Sequence, residues 1–176
     1  MFLLIARLLR DKGIGEYVEA ARRLRARHPA ARFRLVGALD SNPAAFSADE
    51  VARWRAEGVI DYLGEAADVR PCLAESTVYV LPSYREGTPR TVLEAMACGR
   101  AVITTDAPGC RETVTQGDNG FLVPVGDAGA LAAAMERFIL RPELALAMGA
   151  RSRALAEQKY DVRRVNAVML DAMGLR

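Results

Sequence analysis

Short apolar runs alternate with longer amphipathic ones along the chain. Runs at 2–6, 33–36, 59–63, 78–81, 101–104 and 120–123 are brief and rich in Val, Ile, Leu and Phe, the signature of strands buried on both faces. The stretches between them repeat apolar residues at helical spacing. Over 15–27, Tyr17, Val18, Ala21 and Leu24 make one face and arginines the other. "SADE" at 47–50 predicts a capping box for a helix over 47–57, in which the Ser47 and Glu50 side chains each accept from the other's free amide. Further helices are predicted at 73–75, 89–98, 128–140, 142–158 and 162–173. Gly99 suits the end of the 89–98 helix, and Asp161 suits the cap of the last.

Strand and helix alternate six times. The pattern predicts an α/β fold: a Rossmann-like three-layer sandwich with a six-stranded, mostly parallel sheet between helices. Ligands in such sheets bind beyond the carboxyl ends of the strands, where the strand order reverses. The segments that follow the strands are therefore the places to look for chemistry.

Composition narrows the classes. With 176 residues, 51% of them hydrophobic, the chain suits one well-cored domain. A net charge of +2, with arginines scattered, gives neither a nucleic-acid patch nor a polybasic anchor. Cys72, Cys98 and Cys110 lack metal-ligand spacing and are odd in number, which fits reduced thiols in a cytoplasmic protein. No apolar run reaches the length of a membrane span and no signal-peptide pattern opens the chain. A buried strand beginning at residue 2 suggests a domain taken from something larger. His28, the only histidine, lies after a helix and reads as a surface residue, so triad chemistry and metal binding have no candidate.

After the first strand, "ARLLRDKGIGE" places Arg7 and Lys12 in a loop that leads into a helix N-terminus near Gly15. Two cations beside free amides suit a multiply charged anion such as a diphosphate; two solvated surface cations would look the same. There is no GxGxxG and no P-loop pattern. Gly37, after the second strand, serves a turn or a close ligand approach. In "YLGEAADV", Glu65, Ala66 and Asp68 could line a base pocket, although Asp68 is better read as a helix cap. In "TDAPGCRE", Asp106, Gly109 and Glu112 read as a turn with a capping acid.

The richest stretch is "PSYREGTPRTVLEAMACGR", residues 82–100. Thr88 is a candidate N-cap and Pro89 a candidate first helical residue. Glu86 then stands outside the helix and Glu94 inside it, about 9 Å past the cap at ~1.5 Å per residue. Two carboxylates split by a helix start could grip the two ends of one extended ligand. They could also be a loop acid and an exposed helix residue, or the spaced pair of an inverting glycosidase. The cationic loop favours a diphosphate over the last of these.

Taken together, "ARLLRDKG", "VYVLPSYREGTPRTVLEAMACGRAVITTD" and "GDNGFLVPVGDAGALAAAM" resemble the C-terminal, donor-binding domain of retaining GT-B glycosyltransferases of family four. The likeness runs along nearly the whole chain, in order. It implies that residues 1–176 are the nucleotide-sugar donor domain, with the acceptor-binding domain lying before residue 1. It implies that Arg7 and Lys12 bind the donor diphosphate, Glu86 meets the transferred sugar, and Glu94 holds the ribose hydroxyls. Amides at Gly87, Thr88 and Arg90 would hold sugar or phosphate oxygens, and the Glu65, Ala66, Asp68 loop the base. No metal and no cofactor are implied. The implied partners are a nucleotide diphosphate sugar, of the UDP type by the polysaccharide-building members it resembles, and a glycan or lipid-linked acceptor. A peripheral contact with the inner face of the membrane follows for the full-length enzyme. The sequence departs from the family at Ala6, where Gly is usual, at "VGALDSNP", and in carrying Arg85 and Arg90 on either side of the site. An epimerase of the same fold, or a noncatalytic nucleotide-binding module, would share these features.

Overall fold

The computed structural model describes residues 1–175. In chain order the elements are β1 (Phe2–Ile5), a 3-10 turn (Arg10–Lys12), α1 (Ile14–Arg27), β2 (Phe33–Val36), α2 (Ala48–Ala56), β3 (Asp61–Tyr62), α3 (Arg70–Glu75) and β4 (Val78–Leu81). There follow α4 (Arg90–Ala97), β5 (Ala101–Thr105), a second 3-10 turn (Arg111–Thr113), β6 (Gly120–Val123), α5 (Ala128–Leu140), α6 (Glu143–Lys159) and α7 (Val162–Ala172). The strands form one six-stranded sheet in the order β3-β2-β1-β4-β5-β6, and every pairing is parallel.

Strand alternation divides the core into two layers. Phe2, Leu4, Val78, Val80, Ile103 and Phe121 pack with α1 and α5 on one face. Leu3, Ile5, Tyr79, Leu81 and Val102 pack with α3 and α4 on the other. Helix α6 serves both, through Ala145 and Met148 on one side and Ala156 on the other. Burial on both faces explains why β1 and β4 read as continuous apolar runs.

The chain runs from β1 outward to β2 and β3, then crosses back to β4 on the other side of β1. The order therefore reverses between β1 and β4. These strands share only the pairs Phe2↔Val78 and Leu3↔Tyr79, while β4 and β5 register over four. Beyond Leu3 the Tyr79 side chain takes over: its hydroxyl donates to the Ile5 carbonyl at 3.1 Å and meets Thr91 Oγ1 at 2.7 Å.

Several local expectations need correction. Helix α4 begins at Arg90, with Pro89 as its N-cap in extended conformation (φ −72°, ψ 99°) and no side-chain cap from Thr88. Proline fixes φ but leaves ψ free, so it fits the cap as readily as the first turn. Glu94 is thus nearer the helix start than Thr88 capping would put it. Helix α1 begins at Ile14, one residue early, because Gly13 makes the left-handed turn (φ 69°) that starts it. Helix α3 begins at Arg70, with Val69 at the N-cap; Asp68 caps from one residue further out, accepting the Arg70 amide at 3.0 Å. His28 is half-buried, its Nε2 2.7 Å from Glu136 Oε1 on α5. The capping box at Ser47 and the cap at Asp161 form as the sequence predicts.

Candidate functional site

The loops after β1, β4 and β5 interlock at the switch point. Leaving β4, the Tyr84 amide donates to the Asp11 carbonyl at 2.8 Å, and the Glu86 amide to the Pro108 carbonyl at 3.0 Å. Two glycines permit this closeness. A Cβ at Gly13 would lie 2.1 Å from the Pro82 carbonyl oxygen, and one at Gly109 (φ 82°) 2.1 Å from that of Glu86. Neither contact is tolerable, and both glycines have a left-handed backbone conformation that other residues adopt at a cost.

This framework brings Lys12 and Glu86, 74 residues apart, into direct contact. Lys12 Nζ donates to Glu86 Oε1 at 2.7 Å, and Ser83 Oγ donates to the same oxygen at 2.7 Å. The pair is largely shielded, with side-chain exposures of 18% and 16%, so solvent screens it less than a surface pair. The buried Cys110 feels both charges: burial pushes its thiol above the ordinary value, bonds to Thr104 and Thr105 oppose this, and Glu86 and Lys12 act in opposite directions. Arg7 goes elsewhere: it is 67% exposed and bonds Asp40, in the loop after β2, at 3.0 Å. The two predicted cations are thus held by separate carboxylates.

A cleft of about 640 Å³ lies between the loop after β3 and α4, lined among others by Asp68, Arg70, Arg90, Thr91, Glu94 and Cys98. It unites Asp68, Arg90 and Glu94 from the predicted set. Asp68 is held well ionised, chiefly by the Arg70 guanidinium, which binds both its oxygens at 2.9 Å. No side chain caps α4, so the amides of Arg90 and Thr91 lack intrahelical partners. Gly87 and Thr88 are exposed just ahead of them, Glu65 is exposed, and Ala66 is half-buried against the core. Among the described residues no group of three or more His, Cys, Asp or Glu gathers as metal ligands.

Sequence reasoning missed Ser83, Tyr79 and the hydroxyl of Thr91. Ser83 is fully buried; its position three residues before Glu86 was a usable signal, since a hydroxyl there can reach back to the carboxylate. Tyr79 and Thr91 offered none, because their contact depends on how far β1 and β4 part.

A parallel α/β sheet with charged groups converging on its switch point defines the doubly wound class of ligand-binding domains. The chain belongs to the family glycosyl transferases group 1, whose model matches residues 1–141. It is 40% identical over 118 residues to the N,N'-diacetylbacillosaminyl-diphospho-undecaprenol alpha-1,3-N-acetylgalactosaminyltransferase of Campylobacter jejuni, covering 67% of this chain and 30% of that protein. It is 33% identical over 147 residues to the lipopolysaccharide core biosynthesis mannosyltransferase LpcC of Rhizobium leguminosarum, covering 81% of this chain and 42% of LpcC. Among solved structures, Anabaena HepE in complex with UDP superposes with a TM-score of 0.88 at 25% identity, over 99% of this chain and 48% of HepE. The fold is that of one Rossmann-like half of a GT-B glycosyltransferase. The chain thus spans between about a third and about half of these relatives' lengths.

Proposed function

We propose that this chain is the donor-binding half of a retaining glycosyltransferase that moves a hexose or hexosamine from a UDP-sugar to a glycan or lipid-linked acceptor in bacterial surface polysaccharide assembly. The observation that carries the reading is the Lys12–Glu86 contact spanning the switch point, together with the cleft that Glu94 lines. HepE bound to UDP and the acetylgalactosaminyltransferase relative support a UDP-sugar and a lipid-linked acceptor.

In this reading Lys12 and Arg7 take the diphosphate, exchanging their present carboxylate partners for phosphate oxygens. They stabilise negative charge as the diphosphate leaves, an electrostatic contribution that needs no proton. Glu86 lies beside the sugar, Glu94 accepts from the ribose hydroxyls, and the amides of Gly87, Thr88 and Arg90 donate to sugar or phosphate oxygens. The Glu65, Ala66, Asp68 loop faces the base. The acceptor enters from a second domain, so this chain alone binds donor without turnover. In the full-length enzyme the work is cytoplasmic, against the inner face of the membrane.

Calorimetry with UDP, GDP and ADP tests the proposal. UDP is expected to bind most tightly, and no binding by any of the three overturns it. Glu94→Ala is expected to weaken UDP about tenfold, as for loss of a charge-assisted hydrogen bond, and to leave inorganic pyrophosphate unchanged. Equal losses would remove Glu94 from the ribose.

A further inference from the structure

We infer that Ser83 is a positioning residue that acts through Glu86 and sets how firmly that carboxylate holds Lys12. The inference rests on the donor-binding reading above. Ser83 is fully buried, and its hydroxyl donates to the same Glu86 oxygen that accepts Lys12. Its own backbone is fixed, since its carbonyl accepts from the Thr105 hydroxyl at the end of β5, another fully buried residue. The chain just after it is tied to the Asp11 and Pro108 carbonyls through the Tyr84 and Glu86 amides, and the chain before it through the Leu81 carbonyl, which accepts from the Thr104 hydroxyl. The donor is therefore carried by a rigid bracket, while its acceptor sits on a side chain with three rotatable bonds.

Two consequences follow from that arrangement. A hydroxyl donating to a carboxylate makes a charge-assisted bond, which selects one Glu86 rotamer. It also draws charge from the oxygen that Lys12 shares, weakening that ion pair and easing the ammonium's transfer to a phosphate. Without the hydroxyl, Glu86 is free to turn and binds Lys12 more strongly. The cost falls on ligands that need Lys12, meaning those with a diphosphate, and not on the nucleoside end near Glu94.

The test measures UDP and UMP binding to the protein by calorimetry. Ser83→Ala is expected to reduce the preference for UDP over UMP about tenfold, the scale of one hydrogen bond to a charged group, with UMP affinity nearly unchanged. Ser83→Cys fills the site with a weak donor and is expected to do the same, so the test stands if the alanine variant folds poorly. In a Glu86→Ala background the Ser83→Ala change should have no further effect. Equal losses of UDP and UMP, an unchanged ratio in both variants, or a full Ser83 effect without Glu86 would each overturn the inference. A wild-type protein that binds no UDP would instead overturn the donor-binding reading beneath it.

Discussion

Gly109 shows how much one position can carry. Its missing Cβ lets the β5 loop rest on the carbonyls of Glu86 and Gly87. Gly109→Ala is expected to destabilise by at least about 2 kcal/mol, from backbone strain and the displaced contact, lowering the melting temperature by about 4–8 °C. Thermal unfolding followed by circular dichroism checks this. Alanine at Gly117, with open space around it, meets no such clash and pays only the positive-φ strain, so it is expected to cost less. The sequence marked the residues that bear charge here, Lys12, Glu86 and Glu94, because charge at strand ends has few structural uses. It could not mark Gly13 or Ser83 with the same force. Their roles depend on which loops the sheet order brings together, and that is a tertiary fact.

At the scale of elements, local signals were read well where the physics is local. The capping box of α2 forms in full, with the Ser47 amide to Glu50 Oε2 at 2.8 Å and the Glu50 amide to Ser47 Oγ at 3.2 Å. Ser47→Ala is expected to cost about 1 kcal/mol, read as a fall of about 2–4 °C in melting temperature. The Glu50 carboxyl titrates below its ordinary value, chiefly because it accepts the Ser47 amide, with Arg10 adding to the effect. A carboxyl lowered on folding stabilises above its unfolded pKa, and that contribution fades as pH falls through the folded value. The Glu50 contribution is therefore expected to shrink below about pH 4.5, the carboxyl's ordinary value, in acid unfolding of wild type against Glu50→Gln. At α4 the local signal misled by one residue, because proline satisfies two adjacent helix positions equally well. At β3 it predicted five residues where two pair, because an edge strand ends where its neighbour stops offering partners.

For the whole molecule, the apolar pattern was enough to give the layered parallel sheet, since buried strands and amphipathic helices must alternate in that way. It was not enough to give the strand order, on which the site depends. Helix α7 stands apart from the two layers: it buries none of its residues, and Val162, Val168 and Met169 are more than half exposed. Truncating the chain after Asp161 is therefore expected to shift the melting temperature by less than about 2 °C, measured by calorimetry. A larger fall would mean that α7 packs in solution more than its burial implies.

The short β1–β4 pairing has a mechanical meaning. Two pairs of residues in the β1–β4 ladder join three strands on one side to three on the other, so the backbone pairing at the centre of the sheet is a brief seam. Lys12 follows β1 and Glu86 follows β4, and their contact works as a staple over that seam. A nucleotide that draws on both would replace one small staple with a wider splint. Its arrival should be felt as stiffness: slower deuterium uptake along β1 and β4 on both flanks of the seam, with β6 at the far edge exchanging as before.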